Sequence, residues 1–193
     1  TPAPSCEAGT LPAARCPAPG AVDDAFISEL LDRRQWYSSR DLRELAIEPT
    51  ETARTYETPV QNAVGKLVPP TDTGALDSLA LKIWMIEQAR HTVDAAYYIF
   101  KDDLAGYAVL GALCDAVIRG VDVRLIVDAS GSFSLPKSAL RMLDACEEDA
   151  GYMTNAEGLP TRKRARVQVV VFNALTNFSA SPNRRSHDKL LIT

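Results

Sequence analysis

The 193-residue chain is expected to fold as an α/β protein with a mixed, mostly parallel central sheet flanked by helices. Three observations carry that expectation. Helical and strand-like periodicities alternate along residues 75–193, each candidate strand being followed by a helix or a turn-forming stretch. The candidate strands are rich in β-branched and aromatic residues, and one of them, VQVVVF, is almost continuously apolar, as in a strand covered on both faces. The composition, 46% hydrophobic and 24% charged, is that of a soluble globular domain able to bury a sizeable core. Collagen-like, wholly disordered and membrane-spanning classes fit poorly.

The elements follow in order. Asp23 and Asp24 precede FISELLDRRQW, whose Phe26, Ile27, Leu30 and Leu31 recur at helical spacing. The remainder of residues 1–70 is rich in turn formers and reads as a loop-rich arm, a collar on the surface of a domain that occupies residues 71–193. A Thr- and Asp-rich cap then leads into DSLALKIWMIEQARH, in which Leu79, Ile83, Ile86 and Ala89 share a face. VDAAYYIF, residues 93–100, reads as a strand. Asp102 and Asp103 start a helix that runs through Ile118 and ends at Gly120, where a left-handed residue commonly closes a helix. VDVRLIVD (121–128) is a second strand, 135–148 a helix, 167–172 a third strand and 186–193 a fourth.

Four cysteines, none in a C-x-x-C pair, divide by context. Cys6 and Cys16 lie in a Pro- and Ala-rich segment that lacks apolar periodicity, where a disulfide would act as a staple. Cys114 and Cys146 fall in helical patterns and are read as buried thiols in preference to a second bridge. The first pair suggests an extracytoplasmic location, periplasmic, secreted or lumenal. The chain starts at Thr1 with no signal peptide in view, as a processed or trimmed chain would.

Charge is segregated. Residues 1–157 carry 14 Lys and Arg against 24 Asp and Glu, whereas Arg162, Lys163, Arg164, Arg166, Arg184 and Arg185 fall in an acid-free stretch ending at His187. A solvated basic loop is the simplest reading of it. The overall charge of −4 argues against a chain that works mainly by coating nucleic acid. Asp128, at the end of a strand and followed by Ala129-Ser130-Gly131-Ser132, stands where α/β sheets place their sites, although a carboxylate there more often forms a turn. His91 follows Arg90 at a helix end and is expected to be structural. No zinc-type ligand set and no G-x-S-x-G elbow is present, so neither a metal nor a cofactor is expected.

The sharpest pattern is Ser186-His187-Asp188-Lys189-Leu190-Leu191-Ile192-Thr193. On a strand, alternate side chains share a face, so Arg185, His187 and Lys189 project together while Asp188, Leu190 and Ile192 point the other way. An imidazole can attack or protonate a phosphate ester, and an ammonium two residues on can hold its nonbridging oxygens.

These residues resemble the His-x-Lys-x(4)-Asp signature of the phospholipase D superfamily. HTVDAAYYIFKDDLAGYAVLGALCDAVIRGVDVRLIVD resembles that family's leading strand, helix and strand, and VVVFNALTNF with NRRSHDKLL is most similar to its bacterial cardiolipin synthase-like branch. The resemblance covers about residues 75–193. It implies a phospholipase D-like α/β fold, of which this chain is the N-terminal half. It also implies a metal-free, two-step exchange through a phosphohistidine, with His187 as nucleophile or general acid, Lys189 holding the phosphate and Arg185 a lesser substrate contact. The signature aspartate would fall one place beyond Thr193. The partner implied is therefore a missing C-terminal half carrying a second His-x-Lys motif, in preference to a second copy of this chain. The expected substrate is a phospholipid reached by transient contact with a membrane surface, with no nucleic acid. A nuclease of the same superfamily and a catalytically silent scaffold are the alternatives.

Overall fold

The computed structural model describes Cys6 and residues 15–34, 65–132, 137–172 and 189–193. Helix α1 spans Ala25–Arg33 and α2 Asp72–Gln88, followed by β1 (Thr92–Tyr97), α3 (Leu104–Ile118), β2 (Asp122–Asp128) and α4 (Lys137–Ala145). A 3-10 turn (Cys146–Asp149), the short strands β3 (Tyr152–Thr154) and β4 (Pro160–Arg164), β5 (Val167–Phe172) and β6 (Lys189–Ile192) complete the order.

The helices begin where acceptor side chains cap free N–H groups. Asp24 accepts from Ile27 N, Thr71 from Gly74 N and Asp103 from Gly106 N. Gly120 ends α3 with φ at 94°, and a Cβ there would lie 2.3 Å from the Tyr152 carbonyl oxygen, so both conformation and space require glycine.

The main sheet has the order β5-β2-β1-β6, with β1, β2 and β5 parallel and β6 antiparallel to β1. This is the mixed, mostly parallel sheet expected. Val93 and Ala95 of β1 and Val123, Leu125 and Val127 of β2 are buried on one face, where they meet Ile86 of α2 and Leu113, Ala116 and Val117 of α3. The opposite face is more open: Ile126, Leu190 and Ile192 remain exposed. β5, the outermost strand among the described residues, departs from the expectation of a strand covered on both faces, because Val171 and Phe172 stay exposed.

The N-terminal helix is more than a surface collar. Ile27 and Leu31 belong to the main core, and Arg34, just past the helix, reaches the base of the sheet. Val22 also bridges to Thr161 and so attaches this segment to the β3–β4 hairpin.

Both pairs of cysteines are bridged, Cys6 to Cys16 and Cys114 to Cys146. The second bridge corrects the expectation of separate buried thiols. Cys114 of α3 and Cys146, the first residue of the 3-10 turn after α4, stand with their Cα atoms 5.6 Å apart, inside the range a disulfide spans.

Candidate functional site

The base of the sheet, where β1, β2 and β5 begin, is an ion network. Asp122, fully buried, accepts from Arg34 Nε at 2.8 Å and from Arg166 Nε at 2.9 Å. Asp94 bridges Arg34 and Arg124. Burial works to raise the Asp94 pKa, but hydrogen bonds from Arg124 and Arg34, with the charge of both, outweigh it and hold the carboxyl below its ordinary value. These groups satisfy one another and hold α1 to the sheet. They are structural.

The same contacts divide the basic stretch. Arg166 is tied to Asp122 and to the Leu31 carbonyl, and Arg164 donates to the carbonyls of Ala150 and Glu148. Two of the six cations that looked like one solvated patch thus hold the fold together. At His91 the carbonyl accepts from Asp122 N and the ring meets Phe26 edge-on, with centroids 5.9 Å apart, while its buried Nδ1 has no hydrogen-bond partner among the described residues.

At the opposite end of the sheet, Asp128 acts as a turn former. Its Oδ1 accepts from Ser130 N at 2.9 Å and Gly131 N at 3.3 Å. The turn is stitched to the segment after β1, because Ser132 Oγ accepts from Phe100 N and donates to the Tyr98 carbonyl. A Cβ on Gly131 would come within 2.0 Å of that same carbonyl oxygen. The rim is therefore a fixed double loop.

Lys189 opens β6 beside this rim. Its partner across the strands is Tyr97, the last residue of β1. Directly opposed residues of an antiparallel pair share a face, so Lys189 lies on the side of Tyr97 and Leu191, the side the helices cover, with Leu190 and Ile192 on the other. The Lys82 ammonium of α2 stands over the Tyr97 ring, 5.7 Å from its centroid. Burial raises the Tyr97 pKa, which keeps the phenol neutral across the physiological range. Sequence reasoning missed Lys82, whose only signal is a cation on a helix that precedes the motif by about a hundred residues. His187 and Arg185 lie outside the described residues.

Comparison with known proteins bears on this arrangement. The family model described as "Cardiolipin synthase, PLD-like domain" matches residues 83–193, more than half of the chain. The chain is 32% identical over 126 residues to cardiolipin synthase C of Escherichia coli, covering 60% of this chain and 22% of that protein. It is 32% identical over 111 residues to cardiolipin synthase 1 of Bacillus cereus, covering 55% and 18% respectively. Over 66 residues it is 38% identical to cardiolipin synthase 2 of the same species, covering 34% and 12%. The chain thus spans roughly a fifth or less of the length of these relatives. Among solved structures, a polyphosphate kinase from Porphyromonas gingivalis overlaps 79% of the chain at 14% identity and a TM-score of 0.34, too low to equate the folds.

The relatives overturn the extracytoplasmic location expected from the cysteines, because cardiolipin synthases are membrane-associated enzymes of the cytoplasmic side. A sulfur–sulfur bond fixes local geometry and does not by itself assign a compartment. Among the described residues, no helix is long and apolar enough to cross a membrane. The α/β fold with its mixed sheet and the match across residues 83–193 together place this chain in the phospholipase D superfamily, in its cardiolipin synthase-like branch.

Proposed function

We propose that this chain supplies one half of a phosphatidyl-transfer site, in which His187 and Lys189 act on the phosphodiester of a phospholipid head group. The reading rests above all on the family match, which runs through both residues, and Lys189 at the rim of the sheet is consistent with it. A second His-x-Lys motif, carried by the remainder of a longer polypeptide, would complete the site, in keeping with relatives several times the length of this chain.

In the first step an imidazole nitrogen attacks phosphorus. A P–N bond forms, the P–O bond to the departing alkoxide breaks, and the second histidine gives that alkoxide its proton. In the second step a hydroxyl of the acceptor attacks phosphorus and loses its proton to the second histidine, and the P–N bond breaks. Lys189 holds the nonbridging oxygens while charge shifts onto them, with Arg185 as a further contact. The two histidines are interchangeable in the scheme, and His187 takes either role. The loss of Arg164 and Arg166 to structural bonds weakens the nuclease alternative, which needs an open basic track.

The test uses the natural full-length protein with phosphatidylglycerol vesicles, following cardiolipin formation and head-group release by mass spectrometry. His187→Asn, shown by circular dichroism to be folded, is expected to lower turnover by at least about 10³-fold. Undiminished turnover in that variant would remove His187 from the chemistry and the proposal with it.

A further inference from the structure

On the side of the sheet that Lys189 faces, a cleft of about 210 Å³ opens between α2 and α3. Its walls include Leu79, Tyr97, Ile99, Phe100 and Val109, an apolar surface broken only by a few polar groups. The cations Lys82 and Lys101 stand along it. Neither makes a salt bridge to a carboxylate among the described residues. Asp103, the acid in the lining, is already engaged in capping α3. Ile99 in the wall is 43% exposed, and Leu104, the neighbour in sequence of the lining residues Asp103 and Ala105, is 88% exposed.

We infer that this cleft takes the acyl-glycerol part of an anionic phospholipid, with Lys82 and Lys101 meeting its phosphate-bearing end. The inference rests on the proposed function and deepens it. Three features point to this occupant. The walls are apolar and favour hydrocarbon over water. The two ammonium groups give the cleft a positive charge that suits an anionic amphiphile better than a neutral one. Tyr97 belongs both to the cleft wall and, by register, to the pair with Lys189. A phosphate on Lys189 would therefore have its adjoining hydrocarbon within reach of the cleft. Leu104 and Ile99 would rest against the lipid surface from which the substrate is drawn.

The experiment compares phosphatidylglycerols with butyryl and octanoyl chains, using the full-length protein and three forms of it: wild type, Ile99→Trp, and the double variant Lys82→Ala with Lys101→Ala. Ile99 is partly exposed, so a larger ring there fills the cleft without entering the core. In wild type kcat/KM is expected to favour the octanoyl substrate. In Ile99→Trp that preference falls at least about tenfold while turnover of the butyryl substrate is retained. The lysine variant raises KM about tenfold with kcat little changed. A chain-length preference identical in all three forms would overturn the cleft and leave the proposed function standing. If wild type turns over neither lipid, the proposed function fails, and titration of the protein with dihexanoylphosphatidylglycerol decides the cleft alone. Binding that Ile99→Trp abolishes supports it, and absence of binding to wild type overturns it.

Discussion

The two ends of the central sheet treat charge in opposite ways. At the base, Asp94 and Asp122 are enclosed by Arg34, Arg124 and Arg166, and the guanidinium of Arg34 is almost as inaccessible as the carboxylate it meets. At the rim, Lys82, Lys101 and Lys189 make no salt bridge among the described residues and lie beside apolar surface. A charge removed from water must be matched by a partner and by hydrogen bonds, so the base is a structural device with little freedom to act on anything else. A charge kept at a surface rim costs little in stability and remains available to an anion. The difference separates residues that hold this fold from those that, on the proposed function, would meet a substrate.

Substitutions at the two ends should therefore separate stability from activity. The largest effect is expected at the base. Asp122→Ala removes the buried carboxylate shared by Arg34 and Arg166, leaving them only Asp94 and backbone carbonyls, and should cost about 3–5 kcal/mol in urea denaturation, whereas Asp122→Asn, which retains an acceptor, should cost less. Equal losses for the two would show that packing, and not charge, sets the value of the network. Next comes the rim. Lys189→Ala should lower turnover about 10²-fold with the denaturation midpoint nearly unchanged, and Lys189→Arg should recover part of it. A fall in stability matching the fall in turnover would erase the contrast between the ends.

The smallest effect concerns pH. Asp94 has a folded pKa held below its ordinary value of 3.8, so its ion pairs contribute fully above that value. The contribution is lost as pH falls through the lower folded value. Asp94→Asn should thus narrow its stability deficit below about pH 4 and keep it constant between pH 5 and 8. A deficit that varied across the neutral range would assign the dependence to another group.

Much of the fold and one end of the site were legible in the residues. Asp24 and Asp103 announce helix starts because each is a short acceptor placed before an apolar periodicity, and both cap; α2 begins earlier than the apolar run starting at Asp77 suggested, at Asp72, with Thr71 as its cap. The pattern fails for β3 and β4. Tyr152–Thr154 is too short to show alternation, and PTRKR has no apolar face to reveal a strand. The hairpin is held instead by Asn155, whose Oδ1 accepts from Glu157 N and Leu159 N, and by the pairing of Val22 with Thr161.

By itself the sequence determined the succession of the four main-sheet strands and the helices between them, the left-handed Gly120, and the His187–Lys189 pattern with its resemblance to a phosphodiesterase family. Each depends on neighbours within a few residues, where backbone geometry imposes a period that the chain must display. Tertiary structure alone decided that Arg34 meets Asp122, 88 positions away, and that Cys114 joins Cys146. It also decided that Arg164 and Arg166 serve the fold, and that Lys189 pairs with Tyr97, a residue in the wall of an apolar cleft. Those pairings arise from the packing of helices and the register of strands, and contacts between distant residues leave no periodic trace along the chain.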